Sequence, residues 1–92
     1  PIDSSTGKLI EGNIEEQTRQ SLENMKAILE AAGSSLDKVV RTGVFIKDMD
    51  EFQAMNKTYE QYFTKSFPAR SCVEVSKLPM DAKVEIEAIA SI

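Results

Sequence analysis

Phe67-Pro68-Ala69-Arg70-Ser71-Cys72-Val73-Glu74-Val75, continued by Ser76-Lys77 and, after Leu78-Pro79-Met80-Asp81, by Lys83-Val84-Glu85-Ile86-Glu87-Ala88-Ile89-Ala90-Ser91, is the stretch on which the fold turns. Pro68 ends any helix that reaches it, because it lacks the N–H and restricts the residue before it. Over residues 70–77 and 83–91 apolar and polar side chains alternate, the period of a strand with one covered face. Residues 78–81 separate the two runs as a turn. The pattern sends Val73 and Val75 of the first run, and Val84, Ile86, Ala88 and Ala90 of the second, toward helices. Arg70, Cys72 and Glu74 then share the opposite face with Lys83, Glu85, Glu87 and Ile89.

Working back toward the N-terminus, Ile14, Thr18, Leu22, Met25, Leu29 and Ala32 recur on a 3.6-residue period and predict a long helix. Asn13 with Glu16 three places on resembles a capping box, and Gly33 fits a left-handed stop. Residues 39–47 are β-branched and aromatic and predict a strand. Val40, Val44 and Ile46 fall on one face of it and Phe45 on the other, as in a central strand covered on both sides. Asp48 or Asp50 then caps a second helix with its stripe at Phe52, Met55, Tyr59 and Tyr62/Phe63. Near the start, Asp3-Ser4-Ser5-Thr6-Gly7 reads as a turn, with a short strand over residues 8–11 on its far side. The order β-α-β-α-β-β describes an α+β fold, one sheet with two helices packed on one face. The other face mixes charges with Cys72, Ile89 and Phe45, a composition that points to cover by another subunit.

The whole chain has 92 residues, one cysteine, no histidine and no tryptophan, and a formal net charge of -4. That length predicts a single domain over residues 1–92. Without histidine there is neither a Ser-His-Asp triad nor an imidazole metal site. One cysteine cannot make an internal disulfide, so a stapled secreted scaffold is excluded. No apolar run approaches the ~20 residues that span a bilayer. An acidic balance with scattered lysines argues against nucleic acid as a partner. The glycines are too dispersed for a dinucleotide fingerprint or a P-loop. A cytoplasmic protein that binds neither membrane nor nucleic acid is the expectation.

Four features remain for chemistry. Asp48, Asp50 and Glu51 could suggest a cation site, but at a helix start acidic residues satisfy free N–H groups and the helix dipole. Asn56 matches a glycosylation sequon in the middle of a helix and reads as a surface polar residue or a ligand contact. Cys72 is a small hydrophobe by default, although Arg70 two residues away favours a thiolate. Arg70, just past Pro68 at the mouth of a strand, is either a carboxylate clamp or the partner of Glu85 or Glu87 in an ion pair.

The run from Phe67 to Val75, Leu78-Pro79, and Val84-Glu85-Ile86-Glu87-Ala88-Ile89-Ala90 together resemble the Rid (YjgF-type) family of enamine/imine deaminases, in particular its RidA branch. The likeness extends through Ser21-Leu22-Glu23-Asn24-Met25, Val44-Phe45-Ile46-Lys47-Asp48, Asn56 and Tyr59, so it covers the chain from end to end. It implies a chorismate-mutase-like fold and a homotrimer with three inter-subunit clefts, using neither a metal nor an organic cofactor. The implied reaction hydrolyses 2-imino acids to 2-oxo acids and ammonia. Arg70 would bind the substrate carboxylate and Glu85 would place or deprotonate the attacking water. Cys72 would line the pocket and Asn56 would reach it from the second helix. Members usually begin with further strands, so the resemblance also implies an N-terminally incomplete domain here. An alternative is a non-catalytic trimer that binds 2-oxo acids through the same arginine. If the last two strands form a simple hairpin, Arg70 and Glu85 lie too far apart for one small substrate, at ~3.4 Å per residue. They would then have to meet across a subunit boundary, unless the strands are not neighbours.

Overall fold

The structure is a computed structural model that describes residues 1–3, 5–65 and 67–92. Helix α1 spans Ile14–Ala31, strand β1 Val39–Ile46, helix α2 Phe52–Tyr59, strand β2 Ala69–Glu74 and strand β3 Val84–Ala90. The sheet order is β2-β1-β3, with β2 parallel and β3 antiparallel to the central β1. α2 is therefore the crossover of a β-α-β unit, and α1 packs against α2 and β3 on the same face.

Local signals placed the helix ends. The Asn13 side chain accepts from Glu16 N–H at 2.9 Å while the Glu16 carboxylate accepts from Asn13 N–H at 3.3 Å, a complete capping box. At the other end Ser34 N–H donates to Leu29 C=O and Gly33 N–H to Glu30 C=O, with Gly33 at φ 84°. That is a Schellman stop, and only its left-handed residue calls for glycine. Asp48 accepts from Asp50 N–H at 2.9 Å, so the acidic cluster caps the single 3-10 turn, Met49–Glu51, that leads into α2. No helix among the described residues is long and apolar enough to cross a membrane.

The core lies between the helices and the sheet. Leu22, Val44, Ile46, Met55 and Val84 are almost wholly buried in it, with Tyr59 and Phe63 closing one end. Each such side chain contributes roughly 1.5–3 kcal/mol relative to exposure. A polar strut crosses the core margin. Buried Gln17 donates from Nε2 to Ile10 C=O at 3.2 Å and accepts at Oε1 from Lys83 N–H at 2.8 Å.

Several details depart from the sequence pattern. Residues 8–11 form no strand; Leu9 makes only an isolated bridge to Ile2. The turn before it holds, since Asp3 accepts from Ser5 N–H and Gly7 sits at φ 70°, while Ser4 lies outside the described residues. A register shift between Val39 and Arg41 turns Val39 into the core and leaves Val40 exposed. α2 stops at Tyr59, short of Pro68.

The largest correction concerns β2. In its parallel register Arg70 pairs with Thr42, Cys72 with Val44 and Glu74 with Ile46. Paired residues share a face. Arg70 and Cys72 therefore stand on the helix side, and Val73, 46% exposed, stands on the helix-free side beside Phe45. β2 and β3 are also no hairpin, because β1 lies between them.

Candidate functional site

Arg70, at the mouth of β2, lies across one face of α2. Phe52, Asn56 and Tyr59 follow one another at helical spacings of four and three, so one stripe of α2 presents ring, amide and ring to the guanidinium. Arg70 Nη1 donates to Asn56 Oδ1. Its Cζ lies 4.7 Å from the centroid of the Tyr59 ring and 5.3 Å from that of Phe52, both within cation–π range. Asn56 Nδ2 donates in turn to Glu60 Oε1 at 3.0 Å, which fixes the amide with its oxygen toward the arginine. Arg70, Asn56, Tyr59 and Glu60, with Phe63, Thr64, Phe67 and Pro68, line a cleft of about 670 Å³.

One hydrogen of the guanidinium is committed to Asn56. Arg70 itself lines the cleft, whose wall is mainly aromatic and apolar with the Glu60 carboxylate to one side. A planar donor fork there matches the two oxygens of a carboxylate. Cys72, two residues on and on the same face, lines an adjoining hollow with Met49, Asp50, Phe52 and Gln53. Burial pushes its thiol up, and the nearby Arg70 charge only partly offsets that. A thiol held protonated lines a pocket better than it attacks a substrate.

Glu85 stands elsewhere. It pairs with Phe45 on the helix-free face and opens onto a groove beside α1 that Asn24, Met25 and Glu87 also line. Two strand spacings of about 4.8 Å each and the thickness of the sheet separate it from Arg70 within one chain. The structure thus gathers three of the residues singled out by sequence, Arg70, Asn56 and Cys72, and leaves Glu85 apart. An Arg70 ion pair with Glu85 or Glu87 is excluded by the same geometry. Sequence reading missed the part of Phe52 and Tyr59. Both lay in the apolar stripe of α2, and their spacing around Asn56 was the available signal.

A sequence profile described as endoribonuclease L-PSP matches residues 1–92. The chain belongs to the L-PSP (YjgF-type) family. It is 58% identical over 90 residues to a RutC family protein of Pyrococcus horikoshii, covering 98% of this chain and 71% of that one. It is 55% identical over 93 residues to a protein of Salmonella typhimurium named 2-iminobutanoate/2-iminopropanoate deaminase, covering 98% and 72%. Among solved structures, the yjgF gene product of E. coli superposes with a TM-score of 0.93 at 50% identity, over 98% of this chain and 72% of that one. The two helices and mixed sheet are thus the α+β, chorismate-mutase-like arrangement of the YjgF fold.

Proposed function

We propose that this L-PSP family member hydrolyses reactive 2-imino acids, and the enamines in equilibrium with them, to 2-oxo acids and ammonia. The observation that carries the reading is the Arg70 guanidinium, held by Asn56 over two aromatic rings at the wall of a cleft. The Salmonella relative's name supplies the substrate class for which such a clamp is suited. A net charge of -4 suits a small carboxylate better than a polyanionic backbone.

In this mechanism Arg70 takes the substrate carboxylate in two parallel hydrogen bonds and so fixes the imine carbon. Asn56 contributes through Arg70, since both ends of its amide are already engaged. Cys72 lines the pocket as a neutral thiol. Glu85 takes a proton from water as its oxygen attacks the iminium carbon, and the C=N π pair moves to nitrogen. That proton then passes to the nitrogen; as the C–N bond breaks, Glu85 takes the remaining hydroxyl proton, the C=O forms and ammonia leaves, carrying that proton away as ammonium. No metal or organic cofactor enters the scheme.

Because Arg70 and Glu85 of one chain sit on opposite sides of the sheet, the reading requires Glu85 from a neighbouring copy, in a homotrimer with clefts between subunits. The helix-free face offers that contact. The test is ammonia release from imines generated in situ by a dehydratase acting on serine or threonine. Wild-type protein should accelerate it, while Arg70→Ala should lose about 10- to 100-fold, the value of a charge-assisted pair. Arg70→Ala and Glu85→Ala chains, each impaired alone, should recover activity when unfolded, mixed and refolded together. Random assortment in a trimer restores about a quarter of the clefts. Equal rates with and without wild-type protein would sink the enzyme reading. Binding of 2-oxobutanoate without turnover would then identify a carboxylate-binding trimer.

A further inference from the structure

We propose that Tyr59, anchored by Thr42, is the positioning residue that holds the Arg70 guanidinium in its carboxylate-binding orientation, an inference that rests on the clamp argued above. Arg70 is exposed at the start of an edge strand, and Asn56 holds only one of its nitrogens. A long side chain so placed samples many rotamers, and ligand binding has to freeze whatever freedom remains. A fixed surface under the guanidinium removes that cost in advance.

Tyr59 has the properties of such a surface. Its ring is nearer to Arg70 Cζ than that of Phe52, and Tyr59 is 6% exposed where Phe52 is only half-buried. Two contacts stop the ring from moving. Its hydroxyl shares a 2.7 Å buried hydrogen bond with Thr42 Oγ1, and the Phe63 ring packs against it at 4.8 Å. Thr42 is completely buried and pairs with Arg70 in the β1–β2 ladder. The backbone of the arginine and the hydroxyl beneath its head are thereby tied to the same point of the sheet. The polar tip of the tyrosine therefore acts as a tether for an aromatic face that acts on Arg70.

The experiment uses the full chain and combines 2-oxobutanoate binding by calorimetry with the Arg70 Nε–Hε signal by NMR. In wild-type protein that signal should lie upfield of free arginine, shifted by the ring beneath it. Tyr59→Leu should return it toward the free position and weaken 2-oxobutanoate about tenfold, the worth of a partly desolvated cation–π contact. Tyr59→Phe keeps the ring and should retain most of the shift, with a weakening of about threefold or less. Phe52→Leu should have the smaller effect on the signal. A Tyr59→Leu protein with a lowered Tm, an unmoved Arg70 signal and wild-type affinity would overturn the proposal and leave a purely structural tyrosine. If Tyr59→Leu does not fold, an unshifted Arg70 signal in wild-type protein overturns it instead. Should Arg70→Ala bind 2-oxobutanoate as tightly as wild type, or wild type not bind it, the clamp reading fails. The position of the Arg70 signal then decides the role of Tyr59 alone.

Discussion

At the scale of single residues, the side of the sheet to which a strand position points decides its chemistry. Cys72 faces the helices beside Arg70, and burial raises its thiol above the ordinary range while the guanidinium works in the opposite sense. Alkylation of Cys72 by iodoacetamide should therefore be slower at neutral pH than that of free cysteine, and Arg70→Ala should move the midpoint of its pH–rate curve higher still. A folded-state value above the unfolded one gives a contribution to stability that is full below the ordinary thiol pKa. That contribution is lost as pH rises through the folded value. Cys72→Ala should accordingly flatten the alkaline fall in stability, as measured by urea melts over a pH series. The sequence revealed that residues 70, 72 and 74 share a face, because alternation is a local property. It could not reveal which face, since cysteine and valine are equally acceptable in a core and the choice was made by pairing with β1.

At the scale of elements, legibility follows the range of the forces involved. The capping box of α1 and its Schellman stop are built within a few residues and were read correctly. Asn13→Ala should cost about 1 kcal/mol in a denaturant melt, through the loss of the bond to Glu16 N–H. The acidic start of α2 was likewise readable as capping. Gln17 was not. It sits on the buried side of α1 only because Ile10 C=O and Lys83 N–H arrive from distant segments to satisfy it. The bulge that exposes Val40 is equally non-local, since it exists only against β3. Strand order was hidden for the same reason. Two strands next to each other in sequence suggest a hairpin, and the structure places β1 between them.

At the scale of the whole molecule, the helix-free face is the surface left to explain. Val73 and Ile89 are exposed there beside Phe45, among Arg41, Glu85 and Glu87. Apolar groups set among both signs of charge suit contact with further copies of the chain. Ile89→Asp should lower the mass measured by light scattering from that of the proposed trimer toward a monomer, and should lower the proposed deaminase activity in step. Loss of activity with an unchanged mass would separate this face from assembly. The mixed composition of the face was visible in the sequence. That Val73 belongs to it was not, because its side was set by the parallel register. The arginine of the proposed clamp stood out in the sequence by its place after Pro68, and the rings beneath it were legible only as core.

The ladders themselves have a kinetic consequence. Arg41 pairs with Ala69 and Ile46 with Val84, so every strand pairing of the described sheet closes a long loop of chain. No hairpin between these strands can template the rest: β1 gains β2 only through the crossover helix and β3 only when the final strand comes home. A high contact order of this kind makes folding slow and collective, limited by loop-closure entropy. Synthesis from the N-terminus therefore delivers the element that completes the core last. Until β3 emerges, the growing chain carries an apolar central strand with its β3 edge open, the state in which a chaperone would meet it.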